Sequence, residues 1–172
     1  MAPHPYENSQ NHVFNHVAVS VPDIEAATDW YMRHFGFRRI RPTLSADSED
    51  AAVNHLQKLY GNKLRSVKVA FLSTGNSVGF ELFEFTDPPI RKPDLENWTL
   101  EEQYQRGGFF HICLTVPDPA GKCKEVCADG AAQIGETIPG FDGNVGLYFR
   151  DPYGNVVELM SGNFEQLLAN TA

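Results

Sequence analysis

Two of the six histidines in this 172-residue chain stand at the same point of a repeated motif. His16 lies in FNHVAVSVPD, residues 14–23, and His111 in FFHICLTVPD, residues 109–118, an offset of 111 − 16 = 95 residues. Two glutamates echo one another in the same way, Glu81 in GFELFEF and Glu158 in VVELMS. Two neutral imidazoles and two carboxylates make a ligand set suited to a divalent metal ion (Ni, Co, Zn, Mn or Fe), with the carboxylates cancelling its charge. An octahedral ion so held keeps two positions for two oxygens of a small-molecule substrate. A carbonyl bound there stabilises the enolate formed when the neighbouring carbon loses a proton, and Glu81 or Glu158 is placed to take that proton.

The elements that must position these groups follow from hydrophobic periodicity. Side chains of a strand alternate between faces, so Val17, Val19 and Val21 are expected in the core, with His16, Ala18 and Ser20 opposite. In the second copy Ile112, Leu114 and Val116 are the core set and His111, Cys113 and Thr115 the opposite one. In the last strand of each copy Gly79, Glu81 and Phe83 share a face, as do Val156, Glu158 and Met160; burying Glu81 unpaired would be costly. A cleft between the copies would then be walled by Ala18, Ser20, Gly79, Phe83, Cys113 and Met160, with Tyr148 or Arg150 reaching in. That lining is mostly apolar and suits a rather apolar oxygenated substrate. Phe83 and Met160 serve equally well as core filler, and Arg150 beside Asp151 as a surface pair.

Each histidine strand runs into a helical pattern. Asp23 opens the first, Ile24, Ala27, Trp30, Tyr31 and Phe35 recur at helical spacing, and Gly36 stops it. The second, PAGKCKEVCADG, puts Cys123, Val126 and Cys127 on one face. Three strand patterns follow each helix, and DPYGN, residues 151–155, reads as the hairpin turn between the last two. The chain is therefore expected to be α+β, with two βαβββ modules at 12–86 and 107–163 forming a curved mixed sheet around a metal-containing cleft. Residues 87–106 form a linker. An insertion at 43–65 predicts a short helix and loop, serving as pocket wall or lid, or as surface decoration. Trp30, Tyr31 and Phe35 are assigned to the core, His12 and His34 to the surface.

Bulk properties exclude several classes. A net charge of −8 speaks against nucleic acid as partner, since such binding needs clustered Lys and Arg. No apolar run approaches the roughly 20 residues of a membrane span, and the N-terminal segment lacks a signal-peptide pattern, so a cytoplasmic protein is expected. Cys113, Cys123 and Cys127 are odd in number and without CxxC spacing, which indicates reduced structural cysteines. A homodimer is compatible with the repeat, because such modules pair within a chain or across two.

The two histidine strands ending in V-P-D, the FELFEF strand and the ending YFRDPYGNVVELMS together resemble the vicinal oxygen chelate superfamily over residues 12–163. That superfamily includes glyoxalase I, methylmalonyl-CoA epimerase, fosfomycin resistance proteins and extradiol dioxygenases. The resemblance implies His16, Glu81, His111 and Glu158 as metal ligands, the same four residues, and a glyoxalase I-like isomerase, epimerase or lyase with Glu81 or Glu158 as catalytic base. Where glyoxalase I has an Arg and an Asn that hold glutathione, this chain has Ser20 and Phe85. Methylmalonyl-CoA epimerase commonly has Gln at the Glu81 position. Two alternatives remain: an Fe(II) extradiol-type dioxygenase using His16, His111 and Glu158, or a non-catalytic binding or resistance protein.

Overall fold

The computed structural model describes residues 12–47, 51–140 and 143–169. The chain divides into two compact units, residues 1–88 and 89–172. Each is a mixed sheet with a helix packed on one face.

In the first unit β1 (His16–Ser20) leads into α1 (Ile24–Phe35), followed by β2 (Arg38–Arg39), β3 (Leu44–Ala46), α2 (Ala51–Tyr60), β4 (Ser66–Ser73) and β5 (Gly79–Asp87). The strand order is β1-β5-β4-β2, with β3 also on β4, and β1 runs parallel to β5. Helix α1 starts where the sequence indicates. Asp23 accepts a hydrogen bond from the Ala26 N–H at 3.0 Å, and Gly36 closes the helix in the left-handed conformation at φ 66°. A second carboxylate also serves this helix end: Glu84 of β5 accepts from the Ile24 N–H at 3.0 Å and from Lys68 Nζ at 3.0 Å. Ile24, Ala27, Trp30 and Tyr31 are buried, as are Leu72, Phe80 and Leu82 of the sheet, and Tyr31 packs on Phe80 with ring centroids 4.7 Å apart. Burying each such large apolar side chain contributes roughly 1.5–3 kcal/mol.

His34 departs from its expected surface position. It is 8% exposed, because Trp30, one turn earlier on the same face, lies over its ring at 4.9 Å between centroids.

The insertion has a packing role. On the sheet face opposite α1, Leu64, Val67, Val69 and Phe83 form a separate buried cluster, and Leu44 and Leu56 from the inserted segment pack against it. Gln57 of α2 ties the segment down by donating to the Leu64 carbonyl at 2.5 Å.

The second unit begins with α3 (Leu100–Gln105), a short helix inside the expected linker that Thr99 caps by accepting from the Glu102 N–H. It continues through β6 (Ile112–Thr115), α4 (Pro119–Cys127), β7 (Ala132–Pro139), β8 (Val145–Arg150), β9 (Val156–Met160) and α5 (Phe164–Ala169), with strand order β6-β9-β8-β7. Asp118 caps α4 through the Gly121 N–H at 2.9 Å, repeating the role of Asp23. Val126 from this helix is buried, as are Leu147, Phe149, Val157 and Leu159 of the sheet. Again the first and last strands of the unit, β6 and β9, are parallel neighbours.

The repeat holds at the level of single hydrogen bonds. Val21 N–H donates to Phe83 O at 2.9 Å, and Val116 N–H donates to Met160 O at 2.9 Å. Ala18 stands beside Glu81 as Cys113 stands beside Glu158, and Phe71 stands across from Glu81 as Tyr148 stands across from Glu158.

Candidate active site

Parallel pairing of first and last strands is what brings each histidine to its glutamate. His16 Nε2 lies 3.6 Å from Glu81 Oε2, with side chains 47% and 23% exposed. His111 Nε2 lies 3.2 Å from Glu158 Oε2, with 29% and 19% exposed. Each pair is on the sheet face away from the helix, as alternation requires: Val19 and Val21 are buried, and Ser20 and Cys113 are exposed. Among the described residues no group of three or more His, Cys, Asp or Glu is close enough to hold a metal ion. The four sequence-derived residues thus come together as two pairs.

The surroundings of the two pairs differ. His16 Nδ1 is 2.7 Å from Asn15 Oδ1; in the tautomer that donates to this oxygen, the Nε2 lone pair is left open towards Glu81. Gly79 is adjacent in register, and a Cβ built on it would meet His16 Cβ at 3.0 Å, so this glycine makes room for the imidazole. His111 instead sits between aromatic rings, with Phe110 at 5.1 Å and Tyr148 at 5.2 Å, both edge-on, and its Nδ1 is buried without a partner.

Around Glu158 the neighbours are donors. Desolvation, then a hydrogen bond to the Glu158 carboxylate and its charge, push the Tyr148 hydroxyl up to about 12. Desolvation and the same carboxylate push the Cys113 thiol up to about 12. Neither neighbour of Glu81, Ala18 nor Phe71, has a donor to offer.

The remaining wall residues are placed as follows. Ser20 is exposed at the end of β1. Phe83, although on the Glu81 face, is 7% exposed within the Leu64 cluster, so the inserted segment covers it. Met160 is half-buried beside Gly146, where a Cβ would come within 2.6 Å of its sulfur. Arg150 lies with its guanidinium 5.8 Å from the Trp98 ring. A cavity of about 440 Å³ within the second unit is lined by Arg91, Trp98, Gln103, Arg106 and Tyr153 among others, and by neither His111 nor Glu158.

Residues 13–159 match the sequence pattern of the Glyoxalase/Bleomycin resistance protein/Dioxygenase superfamily. The chain belongs to that superfamily. It is 26% identical over 155 residues to a 2-epi-5-epi-valiolone epimerase from Actinomyces sp., covering 86% of this chain and 78% of the relative. In fold it is similar to a glyoxalase family protein from Bacillus cereus, with TM-score 0.68, 18% identity and coverage of 90% and 95% of the two chains. It is likewise similar to the trypanothione-dependent glyoxalase I of Leishmania major, with TM-score 0.56, 19% identity and coverage of 87% and 86%.

Metal use in this superfamily makes the donor geometry a test of fit. Ligand atoms about 2.1 Å from an ion are about 3.0 Å apart across an octahedral edge and about 3.4 Å across a tetrahedral one. The His–Glu separations of 3.6 and 3.2 Å are of that size, and both pairs offer Nε2 and a carboxylate oxygen. Each pair by itself has the spacing of two ligand atoms on one ion, and among the described residues no third His, Cys, Asp or Glu joins either pair.

Some features of the site carried no signal in sequence. The donor roles of Tyr148 and Cys113 become visible only once the register is known. Gly79 reads as a wall residue, yet its role is to admit His16. No helix among the described residues is long and apolar enough to cross a membrane.

Proposed function

We propose that this superfamily member is a metal-dependent isomerase of the epimerase type, removing a proton from the carbon beside a chelated carbonyl of a small oxygenated substrate. His16, Glu81, His111 and Glu158 are the ligands in this reading. The observation that carries it is the pairing, in matching register, of one imidazole and one carboxylate per unit at the spacing of a coordination edge. The similarity to a 2-epi-5-epi-valiolone epimerase favours epimerisation over lyase chemistry.

A bound divalent ion would polarise the substrate carbonyl and so stabilise negative charge on its oxygen. The chain supplies the rest. One glutamate accepts the proton as the C–H bond breaks and its electron pair moves to the carbonyl oxygen; a proton from water then returns to the opposite face of that carbon as the carbonyl re-forms, and the glutamate releases its proton to solvent. Within the second unit, Met160 and the Tyr148 ring would form an apolar wall beside Glu158 that limits water at the reacting carbon.

The test is elemental analysis of protein purified without chelator, beside a His16→Ala, Glu158→Ala double variant, combined with NMR of polyhydroxylated cyclic ketones in D2O. Stoichiometric Ni, Co, Zn or Mn that the variant loses, with deuterium entering beside the carbonyl, is the expected result. Iron accompanied by catechol-dependent oxygen uptake would establish a dioxygenase instead. No metal in either protein would remove the basis of the proposal.

A further inference from the structure

Although the chain carries a net charge of −8, the cavity of about 440 Å³ in the second unit is lined by three cations, Arg91, Lys92 and Arg106, against two carboxylates, Asp94 and Glu102. None of the three cations forms an ion pair with a described residue. Asp94 is committed within its own loop: one oxygen accepts the Glu96 and Asn97 N–H groups at 3.2 Å each, and the other accepts the Asn97 side-chain amide at 2.7 Å. The DPYGN turn supplies another part of the wall. There Gly154, at φ 95°, lets Pro93 come so close that a Cβ on the glycine would meet it at 2.9 Å. The segment bearing Arg91 and Lys92 is thus seated on a turn that Asp151 holds from within. Acceptors are missing at the same place. Among the described residues four buried side-chain polar atoms lack a partner, and two of them belong to one contact: Trp98 Nε1, and Nη1 of Arg150, whose guanidinium lies 5.8 Å from the Trp98 ring. Orphaned buried donors are rare and call for an absent acceptor.

We infer that this cavity is a binding site for an organic phosphate monoester, with Arg91, Lys92 and Arg106 holding the phosphate and Trp98 and Tyr153 facing its ring. A guanidinium fork matches phosphate oxygens in pairs, and a lysine adds a point charge. Unpaired cations around one hollow also raise the local concentration of anions. The volume falls in the range of roughly 300–1,000 Å³ usual for small-molecule sites, so it has room for an ester rather than a bare ion. A turn of the indole would give Trp98 Nε1 a ligand oxygen as acceptor, and the amides of Asn97 and Gln103 meet the polar edge of a ring. Aromatic walls favour a nucleoside monophosphate over a sugar phosphate, because a base stacks with both faces and a sugar does not. The cavity is lined by none of His16, Glu81, His111 and Glu158, so this site stands apart from the proposed metal ligands.

The experiment titrates the full chain with adenosine monophosphate, a hexose phosphate, inorganic phosphate and adenosine, followed by calorimetry and phosphorus NMR. The expected result is saturable binding of the nucleotide that weakens as salt is added, with inorganic phosphate and adenosine each binding more weakly. An Arg91→Ala, Arg106→Ala double variant should lose about tenfold or more in affinity, since charge-assisted hydrogen bonds to phosphate are the strong ones. Trp98→Phe, which keeps a ring and removes the donor, should lose less. Both arginines are exposed, so the double variant should stay folded, which circular dichroism checks. The His16→Ala, Glu158→Ala variant should bind the nucleotide as the wild type does. A hexose phosphate that binds more tightly than the nucleotide, and is lost in the arginine variant, would assign the same site to sugar phosphates. Binding of none of the four, inorganic phosphate binding as tightly as either ester, or nucleotide binding that the arginine variant keeps, would overturn the inference.

Discussion

Asp151 holds Asn155 by two hydrogen bonds at once, accepting the Asn155 backbone N–H at 2.8 Å on one oxygen and its side-chain amide at 2.8 Å on the other. The first oxygen also accepts the Tyr153 N–H at 2.9 Å, and the carboxylate is wholly buried. The DPYGN turn is therefore wound around one anion, and this turn sets the register that places Tyr148 across from Glu158. Asp151→Ala leaves buried N–H groups without an acceptor and should cost about 2–4 kcal/mol. Urea unfolding at neutral pH measures it, and a loss below about 1 kcal/mol would contradict the role given to this carboxylate.

Glu84 ties the start of α1 to the sheet by accepting from Ile24 N–H and Lys68 Nζ. Glu84→Ala should destabilise the first unit by about 1–3 kcal/mol, through an orphaned N–H and a lost anion at a helix N-terminus. Glu84→Gln keeps an acceptor and should lose less. The ranking of the two by chemical denaturation is the check.

Gly79 makes room for His16, whose Cβ would lie 3.0 Å from an alanine Cβ at that position. Gly79→Ala should displace the imidazole by a few tenths of an ångström and weaken divalent-metal binding with little effect on folding. Calorimetric titration with Co²⁺ together with a thermal melt distinguishes this from a folding defect.

The Cys113 thiol, pushed up to about 12 by desolvation and by the Glu158 carboxylate, should be a poor nucleophile near neutral pH, because the thiolate is the reactive form. In metal-free protein its alkylation by iodoacetamide at pH 8 should be at least tenfold slower than that of a free thiol. Glu158→Gln removes the negative charge and should accelerate it. Mass spectrometry resolves Cys113 from Cys123 and Cys127.

Glu25 has its carboxyl held below the ordinary value of 4.5, first by hydrogen bonding from Arg39 and then from Thr43. A depressed carboxylate stabilises the fold when ionised, so its contribution is complete above 4.5 and fades as the pH falls through the lowered value. The Glu25 side chain is 57% exposed, so the effect is small. The difference in urea midpoint between wild type and Glu25→Gln should be present at pH 7, shrink with acidification, and fall as salt is added.

The strand faces were legible in sequence because period-two alternation of Val with His, or of Ile and Leu with Cys, leaves one consistent orientation. Val19 and Val21 stand where that alternation puts them; in the closing strands alternation left either face open, and there Leu159 is buried while Glu158 is not. The helix starts at Asp23 and Asp118 were legible for a similarly local reason. What stayed hidden depends on partners distant in the chain. Phe83 shares a face with Glu81 yet is buried, because its cover comes from Leu64 and Leu56 of the insertion. Glu84 looks like a solvated strand residue until Ile24, sixty positions earlier, is found donating to it. The contrast between Tyr148 and Phe71 requires the pairing of β8 with β9 and of β4 with β5, which periodicity does not fix.

Each unit joins its opening strand to its closing strand, β1 to β5 and β6 to β9. His16 and Glu81 are thus neighbours only after all the intervening chain has found its place, and the same holds for His111 and Glu158. A partly folded unit has no ligand pair to offer, so an ion bound by these residues would select complete units and add RT ln(1 + [M]/Kd) to their stability, about 2.7 kcal/mol at a free ion concentration one hundred times Kd. Thermal stability in the presence and absence of chelator would then report on whether the ends of each unit have met.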